Sequence, residues 1–201
     1  MNKVIFLDFD GVLRHWAGTD LNLLEARLGL PRGALFKVAF LPAFLDPAIT
    51  GEITDEKWRD NVHAELETKY GCDAARLLMQ GWEDAAFEID LQLLNEIKSC
   101  MPLNKVVLTT NATSRLTNDL DAAGLDSYFH AIANSAEIGF AKPHVEFFQG
   151  ALAIAKGSAA DCVYVDDSPG NIEAASALGI KSELYTSSDR VLQFLKEECI
   201  Y

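Results

Sequence analysis

Three short, wholly apolar runs constrain the fold of this chain more than any other feature. They are Val4–Leu7, Val106–Leu108 and Cys162–Val165. Strands that are apolar throughout are typical of a parallel sheet covered on both faces. Polar residues follow each run: Asp8, then Thr109-Thr110-Asn111, then Asp166-Asp167. Because ligands bind beyond the carboxyl ends of the strands in an open parallel sheet, these side chains are expected at one functional edge.

The chain after the second run alternates helix and strand patterns. The predicted elements are a helix Ser114–Ala123, a weak strand Tyr128–Ala133, helices Val145–Lys156 and Asn171–Leu178, and a last strand Lys181–Tyr185. Glycines at 124, 157 and 179 are predicted to end the three helices. This order predicts a doubly wound α/β core with a parallel sheet and right-handed crossovers.

Roughly a hundred residues separate the first two apolar runs, far more than a crossover needs. The segment has helical patterns, the clearest being Trp58, Val62, Leu66 and Tyr70 at a spacing of four, followed by Gly71 as a C-cap. A helix Leu91–Cys100 then leads back to the sheet. We therefore expect a catalytic core formed by residues 1–14 and 86–201, with a small helical cap, residues 15–85, inserted into it.

The charge of the chain limits its partners. Its 201 residues include 30 acids against 17 lysines and arginines, for a net charge of −13. Such a surface repels phosphate backbones and anionic lipids, which argues against nucleic acid and membrane partners. No segment approaches the ~20 apolar residues that span a bilayer, and the first apolar run is too short for a signal peptide. The four cysteines are far apart, which favours free thiols in a reducing cytoplasm.

Asp8 and Asp10 form the first candidate site. Residues i and i+2 of a strand point the same way, so both carboxylates can face one site as the chain leaves the sheet. Two carboxylates so close repel unless a cation or a shared proton relieves them. The pair suits a nucleophile beside a proton donor, and equally a metal clamp. Gly11 permits the sharp exit from the strand.

Three further features follow at strand ends or helix starts. Thr110 and Asn111 can hold phosphate oxygens, or else form a turn or cap. Lys142 can neutralise a phosphate, or else lie on the surface. Asp167, with Asp166 helping directly or through water, can bind Mg²⁺, or else form a solvated turn. Each alternative is reasonable for one feature taken alone, but the order of all four argues for a single site.

The chain resembles the haloacid dehalogenase-like superfamily of phosphohydrolases. The matching motifs are Asp8-Phe9-Asp10-Gly11-Val12, Leu108-Thr109-Thr110-Asn111, Lys142-Pro143 and Val165-Asp166-Asp167. The insert is similar to the family's C1 cap class. The chain length, the segment Gly51–Glu56 and the spacing from Asp166 to Asn171 resemble the bacterial sugar-phosphate phosphatases. That branch includes α-glucose-1-phosphate phosphatases and relatives of the epoxide hydrolase N-terminal domain.

The resemblance implies a role for each candidate residue. Asp8 would be the nucleophile and form an aspartyl-phosphate, while Asp10 would protonate the leaving alcohol and then activate water. Thr110 and Lys142 would bind the phosphate, with Asn111 supporting that loop as part of the phosphate site.

The resemblance also implies a metal. Mg²⁺ would be bound by Asp8, the carbonyl of Asp10 and Asp167. Asn171 departs from the third acid that many members carry. Dehalogenases of the family lack an acid at the position of Asp10, so this residue argues for phosphate chemistry.

The expected function is a Mg²⁺-dependent phosphatase acting on a small phosphorylated metabolite, a sugar phosphate in the branch named above. A phosphomutase and a non-catalytic module that binds a phosphorylated ligand or a protein stay open as alternatives. The sequence predicts neither the particular substrate nor the oligomeric state.

Overall fold

The structure is a computed structural model, and it describes residues 3–17 and 19–199. The strands are β1 (Val4–Leu7), β2 (Arg14–Trp16), β3 (Phe87–Ile89), β4 (Lys105–Thr110), β5 (Ala131–Asn134), β6 (Cys162–Asp166) and β7 (Lys181–Leu184). The first helices are α1 (Thr19–Arg27), α2 (Ala34–Ala39), α3 (Pro42–Ile49), α4 (Asp55–Tyr70), α5 (Cys72–Glu83) and α6 (Leu91–Cys100). The later ones are α7 (Leu116–Ala123), α8 (Ser135–Ile138), α9 (Val145–Ala155), α10 (Pro169–Ala177) and α11 (Ser188–Cys199). In the part of the chain that the structure describes, no helix has the length and apolarity to cross a membrane.

Five strands form one parallel sheet in the order β5-β4-β1-β6-β7. The central strand β1 pairs with β4 and β6, with Leu7 opposite Leu108 on one side and Val165 on the other. Because the three strands are in register, Asp8 leaves the sheet beside the carboxyl ends of β4 and β6. The predicted doubly wound parallel α/β fold is confirmed.

Both faces of the sheet are buried, which explains why its central strands are apolar throughout. Ile5 and Leu7 of β1 point to one face, where α6 and α11 cover them. Val4 and Phe6 point to the other face and pack against Phe147 and other residues of α9. Successive residues of a strand alternate between faces, so a strand between two helical layers needs apolar side chains at every position.

A third apolar cluster lies among α1 to α5. Trp58 and Trp82 meet edge to face there, with ring centroids 5.0 Å apart. The helix predicted from the spacing of four is α4, and it ends at Tyr70 with Gly71 at a φ of 85°. These helices occupy the region expected to form the cap, although the division at residues 15 and 85 stays a prediction.

Several predicted boundaries were wrong by a few residues. The predicted helix Ser114–Ala123 begins only at Leu116, and the strand predicted from Tyr128 begins at Ala131, after a 3₁₀ turn. The helix predicted to end at Lys156 ends at Ala155. Lys156 itself, rather than Gly157, adopts the left-handed conformation, with a φ of 54°. Gly157 then donates to the carbonyl of Leu152 at 3.2 Å, so the backbone bond that closes the helix forms without glycine at the left-handed position.

Sequence analysis did not predict the two-stranded antiparallel sheet of β2 and β3. Arg14 pairs with Ile89, and Trp16 with Phe87. Each strand has three residues, too few to show an apolar alternation. This small sheet joins the two ends of the long helical segment, and its first strand begins four residues after Asp10.

Candidate active site

Asp8 lies at the first position after the central strand, and its side chain is buried. Its N–H donates to the carbonyl of Val165 at 3.0 Å, which continues the β1–β6 pairing. Oδ1 of its carboxylate lies 2.8 Å from Nζ of Lys142 and accepts the N–H of Phe9 at 2.7 Å. Asp8 is only 7% exposed, so these contacts hold it where water reaches poorly.

Lys142 brings the ends of three neighbouring strands together. Its Nζ lies 2.8 Å from Asp8 after β1 and 2.7 Å from Oδ2 of Asp166 at the end of β6. It also donates to the carbonyl of Thr109 on β4 at 3.0 Å. An ammonium has three donors, and these three acceptors use all of them. The lysine is 6% exposed, so the surface position considered from sequence does not apply.

Asp166 is completely buried and surrounded by donors. Oδ1 accepts the N–H of Ser168 at 2.7 Å, and Nδ2 of Asn171 donates to both oxygens at 3.0 and 3.1 Å. Oδ2 also accepts the hydroxyl of Tyr164 and the ammonium of Lys142. With both oxygens engaged in this way, Asp166 forms a fixed and buried contact with Lys142.

Asp167, in contrast, is exposed and lies against Gly11. A Cβ added at Gly11 would clash with Oδ2 of Asp167, and Gly11 also has a φ of 88°. The close approach of Asp167 therefore requires glycine at position 11 for both space and conformation. One carboxylate oxygen each from Asp8, Asp166 and Asp167 lies within 4.8 Å of the others.

Burial and neighbouring charges perturb the acids of this cluster. Burial raises the pKa of Asp8 to about 7; Lys142 opposes the rise, and the charge of Asp166 adds to it. Burial would also raise the pKa of Asp166, but Lys142, Tyr164 and Ser168 together outweigh it and lower that pKa below 3.8. Burial and the charge of Asp166 raise the pKa of Asp167.

The donor set of the cluster fits a hard divalent cation. Three carboxylates and one ammonium leave a formal charge of −2 when all are ionised, which Mg²⁺ would neutralise. Carboxylate and carbonyl oxygens are also the ligands that Mg²⁺ prefers. Of the predicted metal ligands, Asp8 and Asp167 belong to the cluster.

Thr110 and Asn111, the remaining candidates, end β4 and begin the next loop. Thr110 is buried as the last residue of the strand. Nδ2 of Asn111 donates to the carbonyl of Lys142 at 2.9 Å, and the N–H of Lys142 donates to Oδ1 of Asn111 at 2.7 Å. This reciprocal pair fixes the loop after β4 to the loop that carries the lysine.

Asp10 lies two residues beyond Asp8, and its carboxylate is not part of the cluster of three acids. Nε of Arg14 donates to its Oδ1 at 2.7 Å and Nη2 to its Oδ2 at 2.8 Å. Nε1 of Trp16 also donates to Oδ1, at 2.7 Å.

The N-terminus of α4 contacts the loop that follows Asn111. Oγ1 of Thr113 donates to Oδ1 of Asp55 at 2.7 Å, and the N–H of Asp55 donates to Oγ of Ser114 at 3.0 Å. Arg59 holds the other oxygen of Asp55 at 2.7 Å. The helical segment is therefore anchored next to the candidate phosphate loop.

Sequence reasoning missed several residues of this site. Tyr164 could have been found, since it is two residues before Asp166 on the same strand and must point the same way. Arg14 and Trp16 gave a weaker signal, because their approach to Asp10 depends on the unpredicted strand β2. Asp55 gave no signal, because its partners are almost sixty residues away along the chain.

Comparison with known families matches residues 85–184 to the haloacid dehalogenase-like hydrolases. The chain belongs to this family. It is therefore an enzyme of the haloacid dehalogenase-like superfamily, as the sequence motifs predicted. Bifunctional epoxide hydrolase 2 of Sus scrofa is 26% identical over 215 residues, which cover 97% of this chain and 38% of that protein. The chain thus spans much less than half the length of this curated relative.

Solved structures of the family share the fold. A family enzyme from Bacteroides thetaiotaomicron, in complex with magnesium and inorganic phosphate, superposes with a TM-score of 0.72 at 18% identity over 92% of this chain and 95% of that one. A 2-haloacid dehalogenase from Pseudomonas syringae pv. Tomato DC3000 gives 0.62 at 21% identity over 92% and 86%. These comparisons show that the chain shares its fold with solved members of the family.

Proposed function

We propose that this hydrolase is a Mg²⁺-dependent phosphatase that cleaves a small phosphorylated metabolite through an aspartyl-phosphate on Asp8. The observation that carries the proposal is the buried Asp8 carboxylate held by Lys142, with Asp166 and Asp167 close enough to share a cation. A carboxylate and a phosphate dianion repel one another, so the reaction needs positive charge at this position. Lys142 provides one such charge.

In the first step, Asp8 attacks phosphorus and the bond to the leaving alcohol breaks. The contacts of Phe9 and Lys142 are both to Oδ1, so we assign the attack to Oδ2. When the substrate binds, one N–H of Lys142 moves from Asp8 to a phosphate oxygen, and the hydroxyl of Thr110 binds another phosphate oxygen. Asp10 gives its proton to the departing alcohol oxygen. Bound Mg²⁺ would offset the charge of the carboxylates and of the phosphate oxygens.

In the second step, water attacks the phosphorus of the aspartyl-phosphate. Asp10, now ionised, takes a proton from that water, which restores its starting state. The bond between phosphorus and Asp8 breaks, and inorganic phosphate leaves. One residue thus acts as acid and then as base, with no net gain or loss of protons by the enzyme.

We assign different roles to the two acids after β6. Asp167 is the exposed carboxylate and the better placed to ligate Mg²⁺. Asp166 already accepts hydrogen bonds from four residues, and we propose that it holds Lys142 in place.

For the substrate, we propose a sugar phosphate selected by a cap formed by residues 15–85. The resemblance of the motifs to sugar-phosphate phosphatases supports this class. The contacts between Asp55 and the loop after β4 support a cap that closes one side of the site. A cytoplasmic location fits both a phosphorylated metabolite and the four free cysteines.

Dehalogenation is the second candidate, because a 2-haloacid dehalogenase shares the fold. That reaction also uses a carboxylate nucleophile, but a halide leaves without a proton. Dehalogenation therefore needs no acid at position 10 to protonate the leaving group. Asp10 therefore favours phosphate ester cleavage, and so does the pair Asp166-Asp167, which can hold the Mg²⁺ that offsets phosphate charge. A phosphomutase would use the same aspartyl-phosphate and return the phosphoryl group to a sugar.

A release assay separates these activities. The full chain, stripped with EDTA and then supplied with Mg²⁺, is given a panel of sugar phosphates and other metabolite phosphates, and inorganic phosphate is measured. A parallel reaction with 2-haloacids is followed by halide release. We expect Mg²⁺-dependent phosphate release and no halide. Halide release without phosphate release would contradict the proposal, and isomerised sugar phosphate without free phosphate would indicate the mutase.

A further inference from the structure

The carboxylate of Asp10 is held by two side chains that the proposed mechanism does not use. Arg14 binds both of its oxygens, through Nε at 2.7 Å and Nη2 at 2.8 Å. The indole N–H of Trp16 adds a third donor, 2.7 Å from Oδ1. A bidentate guanidinium lies in the plane of the carboxylate that it binds, so it fixes the orientation as well as the position of the acid.

Arg14 is itself held by contacts with two aromatic rings and by two backbone hydrogen bonds. Its Cζ lies 4.4 Å from the ring centroid of Phe9 and 4.7 Å from that of Trp16. Its N–H donates to the carbonyl of Phe9 at 2.7 Å, and its carbonyl accepts the N–H of Gly11 at 2.9 Å. A planar guanidinium packed against two aromatic rings loses little further freedom when it binds a carboxylate.

A second acid lies near Arg14 without competing for it. Nη1 of Arg14 is 3.8 Å from Oδ2 of Asp119, which is beyond hydrogen-bond distance. Asp119 is bound by Nε of Arg115 at 2.8 Å. The close partner of Arg14 is therefore Asp10.

Asp10 needs such contacts because it is only partly buried. Its side chain keeps 42% of its accessible surface, and an aspartate with this much freedom can move among several rotamers unless other groups hold it. Proton transfer requires the acid within about 2.6–3.2 Å of the reacting oxygen. We propose that Arg14 and Trp16 are positioning residues that hold Asp10 in one orientation for its proton transfers. This proposal rests on the proposed function, in which Asp10 is the acid and base.

Two conservative variants remove the contacts one at a time. Arg14→Lys keeps the charge but loses the two-pronged geometry, and Trp16→Phe keeps an aromatic ring but loses the N–H donor. Misplacing a catalytic group by an ångström costs on the order of 10²-fold in rate, so we expect Arg14→Lys to lower kcat on an alkyl phosphate by about this factor. Trp16→Phe removes one of three donors and should cost less. KM should stay within about twofold for both, because neither residue is assigned to substrate binding.

The leaving group shows whether the loss acts through proton transfer. In the phosphorylation step, p-nitrophenyl phosphate needs little protonation of its leaving group, so both variants should lose less on this ester than on the alkyl phosphate. Equal losses on the two esters in that step would overturn the proposal.

A double-mutant comparison separates positioning from a structural role. If Arg14 and Trp16 act through Asp10, their substitutions should cause no further loss of kcat in an Asp10→Asn background. A similar loss in both backgrounds would overturn the proposal. Arg190→Lys is the matched control, since Arg190 forms the same kind of two-pronged pair with Glu183, at 2.7 and 3.1 Å. That pair joins α11 to β7, and its change should leave kcat unaltered.

An NMR measurement tests the contact without using activity. The indole N–H signal of Trp16 in ¹⁵N-labelled full chain is assigned by its loss in Trp16→Phe. We expect Asp10→Asn to shift this signal and to leave the other two indole signals in place. An unmoved Trp16 signal would overturn the proposal even in an active enzyme. A wild-type protein without phosphatase activity would instead overturn the proposed function, and with it the catalytic part of this inference.

Discussion

Replacing Lys142 by methionine should destabilise the metal-free protein strongly. Methionine fills a similar volume but leaves the carboxylates of Asp8 and Asp166 buried without the ammonium that lies 2.8 and 2.7 Å from them. Removing one partner of a buried ion pair typically lowers the free energy of unfolding by about 3–5 kcal/mol. For a chain of this size, 1 kcal/mol corresponds to about 2–4 °C, so Tm should fall by roughly 10 °C.

The control for this substitution is Lys181→Met. Lys181 pairs with Glu198 at 2.6 Å, a shorter distance than either contact of Lys142, but its side chain is 62% exposed. Exposed pairs contribute about 0–1 kcal/mol, so this variant should unfold close to the wild type. Comparison of the two variants therefore isolates the effect of burial from that of ion-pair distance.

The assay is urea unfolding in EDTA at two pH values. The loss in free energy of unfolding caused by Lys142→Met, relative to the wild type, should be smaller at pH about 5 than at pH about 8. At the lower pH, protonation neutralises a buried carboxylate that has lost its cation. If Lys142→Met loses no more stability than Lys181→Met, the buried charge cluster described for this site is wrong.

Three other perturbations test separate parts of the site. Asp8→Asn should abolish turnover, because an amide does not attack phosphorus, and circular dichroism should show an intact fold. If the variant keeps a tenth of the wild-type activity, Asp8 is not the nucleophile. Because the folded pKa of Asp8 is about 7 against 3.8 for the unfolded chain, the metal-free protein should lose stability as pH rises from about 4 to about 7. The free energy of unfolding should fall by at most about 4 kcal/mol, and saturating Mg²⁺ should reduce this loss. A free energy of unfolding that stays constant over this pH range in EDTA would contradict the pKa shift. Gly11→Ala should weaken Mg²⁺ binding in calorimetry far more than Gly29→Ala, since both glycines have a positive φ but only a Cβ at Gly11 meets Asp167. Equal effects of the two substitutions would leave backbone strain as the whole cause.

The sequence predicted the sheet well because its central strands are buried on both faces. The apolar runs beginning at Val4 and Cys162 are found as β1 and β6, and the alternating helices lie on either side of them. A strand that is buried on both faces has an apolar residue at every position, and this pattern can be recognised even in a segment of four residues. The strands β2 and β3 lack that signal, because each has three residues and they pair with each other rather than with the main sheet.

The candidate site could be predicted in outline because polar residues after parallel strands meet at one edge. Asp8 and Asp167 were expected there from their positions after two apolar runs. The contacts that define the chemistry were less accessible, since Lys142 reaches Asp8 from a loop more than a hundred residues away. Whether a lysine is buried or exposed depends on that packing, and no local pattern records it. The same limit hid the contacts of Arg14 with Asp10, because they require a strand pairing that the sequence does not signal.

The central claim is that Asp8 carries the phosphoryl group during turnover, and chemical trapping tests it most directly. The enzyme is mixed with Mg²⁺ and a phosphate ester that it hydrolyses, and the reaction is quenched within the first turnover. The quenched protein is then treated with borohydride, which reduces an aspartyl-phosphate to homoserine. Peptide mass spectrometry then locates the modified residue. We predict homoserine at position 8 with Mg²⁺, and its absence with EDTA and in a reaction without the ester. Turnover with no conversion of Asp8, or conversion of another acid in its place, would contradict the account.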